Sequence, residues 1–213
     1  NNIIFIQDEA IAKAYTLEFE EMWSGTFGTH KEDNTPHKFI VGGKAVEVYF
    51  SPSDQTTSKI LQVINSVDYT LEFALLEFTR NDLGAAVIDI HNSFGTNVRG
   101  IMEGQNSNGS EFANLQANGV NIKSHMGVTY QLHHKYAIVD AGPNSIAAAD
   151  PIVLTGSHNW STNAEVNSDE NTLIIHDHTI ANIYLQEFTK RFNELSATAI
   201  FEEEINISVS PMH

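Results

Sequence analysis

The chain has no cysteine, little positive charge and no long apolar run. Without thiols it can form neither a disulfide nor a thiolate metal site. Its 11 Lys and Arg stand against 27 Asp and Glu, a formal net charge of -16 at pH 7, which excludes the broad basic surface that holds nucleic acid by neutralising many phosphates. A polyanion must then be met locally, with Lys135 and, beside it, Arg99, Lys123 or Arg80 as candidate cations for a small positive pocket. No stretch approaches the ~20 apolar residues that a spanning helix requires, so stable membrane insertion is not expected. The chain begins at Asn1 with neither Met nor a signal-like segment, and so reads as a processed or excised piece with any targeting sequence upstream. Acidic, cysteine-free and rich in Asn and Ser, it suits a bacterial envelope or extracellular protein.

What is present is enough apolar material, 41% of 213 residues, for one good core and one domain or one and a half. Strand and helix patterns alternate. Val46–Phe50 alternates as a strand, Ser51–Asp54 offers a turn and an N-cap, and Ile60, Leu61, Ile64 and Val67 fall at helical spacing. Residues 70–78 return as a strand, Asp82 caps a helix carrying Leu83, Ala86, Val87 and Ile90, and residues 98–102 form a buried strand. A short helix over 111–116, strands over 120–125 and 173–175, and a final helix over 179–195 complete the pattern. Strands interleaved with helices predict an α/β fold with a mixed central sheet flanked by helices.

The chemistry concentrates in His133-His134-Lys135-Tyr136-Ala137-Ile138-Val139-Asp140 and, soon after, Gly156-Ser157-His158-Asn159. If both are extended, alternation puts His133 and Lys135 on one strand face and Ser157 and Asn159 on another. The breaker 141–145 and the apolar run from Pro151 to Thr155 allow the two to fold back as a hairpin. A nucleophile or acid, a fixed cation and two neutral hydrogen-bonding groups then converge, a set suited to a phosphodiester. The same alternation turns Asp140 away from His133 and Lys135, which gives it an anchoring role through nearby backbone.

His133-x-Lys135-x4-Asp140 with Gly156-Ser157-x-Asn159 resembles the HKD signature of the phospholipase D superfamily, and residues 163–171, ending in Asp169-Glu170-Asn171, are similar to the segment that follows it in bacterial nuclease members. The resemblance covers about residues 45–195. It implies a phospholipase D/nuclease-like layered sandwich and a phosphodiesterase that needs no metal or other cofactor. It also implies two HKD copies, from tandem units or a homodimer, because in-line displacement needs a nucleophile on one side of phosphorus and an acid on the other. One copy's histidine becomes a phosphohistidine and the other protonates the leaving oxygen. Within this copy the implied catalytic set is His133, Lys135, Asp140, Ser157, Asn159 and Glu170, with Lys135, Ser157, Asn159 and Trp160 meeting substrate. Glu170 is the candidate to orient an imidazole, across the interface, on the other copy. Whether His133 is nucleophile or acid stays open. Nucleic acid is the leading substrate expectation, phospholipid the alternative, and an inactive fragment serving as a binding module the third.

An internal repeat changes the domain picture. Asn2, Ile6, Asp8, Ile11, Ala12, Tyr15, Glu18 and Phe19 recur without a gap as Asn171, Ile175, Asp177, Ile180, Ala181, Tyr184, Glu187 and Phe188. Residues 1–24 are therefore expected to be the closing strand and helix of a preceding unit, 25–44 a linker, 45–196 the HKD domain and 197–213 an extension. Asn1 stands where the repeat has Glu170, so the two copies are unequal, which suggests the missing copy's histidine as nucleophile and His133 as acid, or the reverse. Weaker candidates are a metal pair at His176 and His178, a groove lined by His158 and Trp160, and a pocket rim at Glu77 and Thr79.

Overall fold

The computed structural model describes residues 1–94, 98–142 and 150–207, with backbone alone at 94 and 196–207. Its helices are α1 (Glu9–Trp23), α2 (Thr56–Asn65), α3 (Asn81–Phe94), α4 (Phe112–Ala117), α5 (Thr162–Val166) and α6 (His178–Ile207). Its strands are β1 (Lys38–Val41), β2 (Lys44–Phe50), β3 (Leu71–Leu75), β4 (Val98–Met102), β5 (Asn121–Ser124), β6 (Lys135–Val139), β7 (Ile152–Gly156) and β8 (Asn171–His176). The eight strands make one sheet in the order β1-β2-β8-β7-β6-β3-β4-β5. Only the β3–β4 and β4–β5 pairs are parallel; the remaining pairs are antiparallel. The expected mixed α/β sandwich is what forms.

The central strands β3 and β6 are buried at every residue, and alternation divides their side chains between two cores. Leu71, Phe73, Leu75, Ala137 and Val139 join one cluster with Ile60, Ile64, Leu83 and Val87 of α2 and α3. Ala74, Tyr136 and Ile138 join another with Ala181, Phe188 and Phe192 of α6. The sheet thus lies between α2 and α3 on one face and α6 on the other. Each fully buried Leu, Ile or Phe contributes about 1.5–3 kcal/mol of transfer free energy, so both layers stabilise the sheet.

Three sequence expectations need correction. Residues 2–6 pair with no strand among the described residues: Asn2, Ile4 and Ile6 face the sheet and the odd residues face outward, and the segment docks by side chains on Val46, Leu173 and Ile175. The linker 25–44 contains strand β1, which pairs with β2 from Lys38↔Glu47 to Val41↔Lys44. Asp54 does not cap α2; its carboxylate turns back to accept from the Phe50 N–H at 2.7 Å, and Gln55 stands at the cap position.

Candidate active site

The antiparallel β6–β7 pair forms as expected, with Ala137↔Leu154 and Val139↔Ile152. The start of β6 and the end of β7 therefore lie at the same end of the sheet. There a pocket of about 560 Å³ is lined by His133, Lys135, Gly156, Ser157, Asn159 and Glu170, with Asn1, Asn2 and Ile3 on its remaining wall. Five of the six residues assigned to catalysis from the sequence thus share one cavity. Only Lys135 sits in a strand. His133 precedes β6, and Ser157 and Asn159 follow β7, so they project beyond the sheet rather than from a strand face.

Lys135 is almost fully buried. Its ammonium donates to His133 Nδ1 at 3.1 Å and to the His133 carbonyl at 3.3 Å. Accepting at Nδ1 leaves the hydrogen of a neutral His133 ring on Nε2. Burial pushes the Lys135 ammonium below the ordinary lysine value, while the carboxylates of Glu170 and Glu77 pull it back up. A buried cation with no salt bridge among the described residues is strongly disposed to take an anion.

Ser157 and Asn171 lock the far wall. Ser157 N donates to the Asn171 carbonyl at 3.0 Å, and Ser157 Oγ accepts from Asn171 N at 3.0 Å and Nδ2 at 3.1 Å. Both acceptor positions of the hydroxyl are used, so its own hydrogen remains for a ligand oxygen. Gly156 makes the approach possible: at φ +154°, a Cβ there would lie 2.1 Å from the Asn171 carbonyl oxygen. Asn159 Oδ1 is buried without a partner. With no neighbour fixing its orientation, this amide is free to present Nδ2 to a bound oxygen.

Glu170 is held by its backbone, donating to Ser51 Oγ at 3.3 Å and accepting from Ser51 N at 2.9 Å. Among the described residues its carboxylate accepts no hydrogen bond and does not bond to His133, although Glu170 lines the same pocket. Asp140 lies at the opposite end of β6 and lines no part of the pocket. Its buried carboxylate accepts from Asp68 N at 2.9 Å, Tyr69 N at 2.7 Å and Thr70 N at 2.9 Å. The expected anchoring is therefore present, but it ties β6 to the turn before β3 and not to its own hairpin. Its φ of +52° is a conformation that Asp tolerates better than most residues.

Other sequence expectations are corrected by burial. Trp160, expected to meet substrate, is fully buried against Phe73 and Phe78, with ring centroids 5.9 and 4.9 Å away. The chain turns inward after Asn159, and Phe78 and Trp160 bridge. His158 is buried as well, bonded through Nε2 to Glu165 Oε2 at 3.2 Å, so it lines no groove. Arg99 pairs with Glu72, Arg80 with Asp82, and Lys123 donates to the Phe192 carbonyl; none joins the pocket. Glu77 lies close enough to act on Lys135 but is held by Ser107 outside the lining. His176 is clamped between Asp150 at 2.7 Å and Glu47 at 3.1 Å, an ion cluster in place of a metal pair with His178.

Two residues near the pocket, Asn2 and Glu103, carry no functional signal in the sequence. Asn2 Nδ2 donates to Thr155 Oγ1 and the Tyr184 hydroxyl, both at 2.8 Å, and its Oδ1 lies 3.1 Å from His134 Nδ1. Burial holds the His134 ring at a pKa of about 4, and so neutral. Glu103 Oε2 accepts from Leu132 N at 3.0 Å and lies 2.9 Å from His125 Nδ1. It therefore pins the residue that precedes His133. Neither has a local sequence signal, since both act across long chain separations.

Comparison with known proteins bears on the family and the fold. Residues 60–192 match the family described as cardiolipin synthase, PLD-like domain. The mitochondrial cardiolipin hydrolase of Mus musculus is 32% identical over 148 residues, covering 68% of this chain and 62% of that protein. The matched stretch thus spans less than two thirds of that relative. Among solved structures, Nuc from Salmonella typhimurium has a TM-score of 0.58 at 23% identity, covering 70% of this chain and 95% of its own. NucT from Helicobacter pylori has a TM-score of 0.55 at 22% identity, covering 70% and 96%. At those identities the two structures speak for the fold.

Proposed function

The chain belongs to the phospholipase D superfamily, and from that premise we propose that its pocket grips one phosphodiester and supplies one half of a two-histidine hydrolysis. The observation that carries the reading is the buried Lys135 ammonium beside His133, Ser157 and Asn159 in one cavity. Lys135 Nζ, Ser157 Oγ and Asn159 Nδ2 hold the non-bridging oxygens, and the positive charge needed as phosphorus is attacked comes from the lysine. One histidine forms the P–N bond as the P–O bond to the leaving group breaks, and the other copy's histidine protonates that oxygen. Water, giving its proton to the other copy's histidine, then attacks phosphorus; the P–N bond breaks, which releases the phosphomonoester and restores the ring.

The second histidine has to come from another HKD copy, in a preceding unit or a partner chain. The repeat supports this. Asp8 and Asp177 both cap their helices, yet Phe19 of α1 is 52% exposed where its counterpart Phe188 is fully buried. A core-type face left uncovered on α1 fits residues 1–24 having evolved against another unit. Glu170, whose carboxylate accepts no hydrogen bond among the described residues, would orient a ring contributed by such a copy.

For substrate, the pairing of the cations favours phospholipid over nucleic acid. Among the described residues Lys31, Lys44, Arg80, Arg99 and Arg191 are each engaged with carboxylates, which argues against a basic track for successive phosphates. The test is hydrolysis of a soluble diester, bis(p-nitrophenyl) phosphate, beside phospholipid vesicles and single-stranded DNA, with a chelator present throughout. Diester hydrolysis that Lys135→Met abolishes supports the reading. Lack of hydrolysis by a preparation shown to contain two HKD copies contradicts it, and preference for DNA over lipid reverses the substrate assignment.

A further inference from the structure

Residues 126–131, Met-Gly-Val-Thr-Tyr-Gln, carry no charge in a chain of net charge -16. All six are exposed, and the large apolar side chains stand in water: Met126 at 45%, Val128 at 42% and Tyr130 at 81%. An ordinary acidic surface loop has no reason to present three such groups together. The loop is also not free to drift. One oxygen, Glu103 Oε2, holds both ends, 2.9 Å from His125 Nδ1 and 3.0 Å from Leu132 N. His125 and Leu132 are themselves buried, and Val128 N closes the turn on the His125 carbonyl at 3.3 Å.

The clamp sets the loop's location. His133, in the pocket lining, directly follows the pinned Leu132, so Tyr130 lies within about 11 Å of chain from it. Met126 directly follows the other pinned residue, so both ends of the apolar loop stand next to the pocket. We propose that residues 126–131 form a docking finger that seats on the surface of a phospholipid aggregate and brings a headgroup phosphate to Lys135; this rests on the phospholipid reading above. Tyr130, amphipathic, suits the boundary between headgroup and acyl chain. An uncharged finger on an acidic body fits a zwitterionic surface, since anionic lipid would repel the rest of the chain.

The experiment is sedimentation of the protein with phosphatidylcholine vesicles, comparing the parent chain with Tyr130→Ser and with Met126→Ser/Val128→Ser. In parallel, bis(p-nitrophenyl) phosphate hydrolysis, single-stranded DNA binding and oligomeric state are measured. We expect the parent to bind vesicles, with binding maintained at 1 M salt, and Tyr130→Ser to weaken it about tenfold while soluble-diester hydrolysis is unchanged. A parent that does not bind vesicles, or variants that bind as well as the parent, overturns the finger. So does a Tyr130→Ser variant that loses DNA binding or self-association while keeping vesicle binding. Failure of soluble-diester hydrolysis in a parent preparation shown to contain two HKD copies counts against the phosphodiesterase reading, and vesicle binding still reports on the finger.

Discussion

Replacing Asp140 by Asn separates a structural member of the motif from a reacting one. Oδ1 accepts from Tyr69 N and Thr70 N, and Oδ2 from Asp68 N, all inside 3 Å. In the Asn variant one oxygen becomes an NH2 group. If Oδ1 keeps its two donors, the new amide faces Asp68 N–H, donor against donor, and the negative charge that strengthened all three bonds is gone. Losing one hydrogen bond to a charged group costs about 1.5–3 kcal/mol, and weakening of the other two brings the total to about 3 kcal/mol. Asp140→Ala leaves three amides without acceptors and is expected to cost about 4–6 kcal/mol, close to the whole stability of a small domain. Urea unfolding measures the loss. Soluble-diester turnover is then measured at a temperature where circular dichroism shows the Asn variant folded. The expected result is lower stability with kcat within about threefold of the parent. Native stability with a hundredfold loss of kcat would instead make Asp140 a participant in the chemistry.

Lys135→Met keeps the side chain's bulk and removes its charge; diester turnover is expected to fall about 10²–10³-fold, with urea stability unchanged or higher because an unpaired buried cation is gone. Ser157→Ala deprives Asn171 N and Nδ2 of their acceptor, and urea unfolding should report a loss of about 1–3 kcal/mol, together with weaker anion binding. The Glu47–His176 pair predicts a stability maximum. His176 is held above 6.5, so its contribution is full below that pH and lost as pH rises through its folded value. Glu47 is lowered from 4.5 to about 2, so its contribution is full above 4.5 and lost as pH falls through about 2. His176→Gln should therefore cost about 1 kcal/mol between pH 4.5 and 6.5 and less near pH 9, read from urea midpoints across pH; a cost independent of pH contradicts the assignment.

Strands were legible where burial on both faces wrote a continuous apolar run. The expected strand over 98–102 coincides with β4, and β6 and β7 pair antiparallel as anticipated, while residues 143–145 of the expected breaker lie outside the described residues. The grouping of His133, Lys135, Ser157, Asn159 and Glu170 was legible because the motif's two parts sit at the joined ends of adjacent antiparallel strands. Other features escaped for definite reasons. Alternation stops applying once a chain leaves the ladder, so residues placed on strand faces by counting lie beyond the strand ends, and Trp160 turns into the core. The apolar segment 2–6 has the composition of a strand, yet β2 already has β1 and β8 at its two sides, leaving only side-chain docking. The Glu103 clamp and the Asn2 bridge join residues 22 to 182 positions apart, and no local pattern encodes such a contact.

The central claim is that an imidazole, an ammonium, a hydroxyl and a carboxamide surround one phosphate. A crystal structure of the chain with tungstate, a tetrahedral oxyanion visible by its anomalous scattering, tests it most directly. The metal-oxo ion is expected in the pocket, its oxygens within hydrogen-bonding distance of Lys135 Nζ, Ser157 Oγ and Asn159 Nδ2, with His133 Nε2 facing it. Tungstate bound elsewhere with this pocket empty, or side-chain tips too far apart to touch one anion, would contradict it.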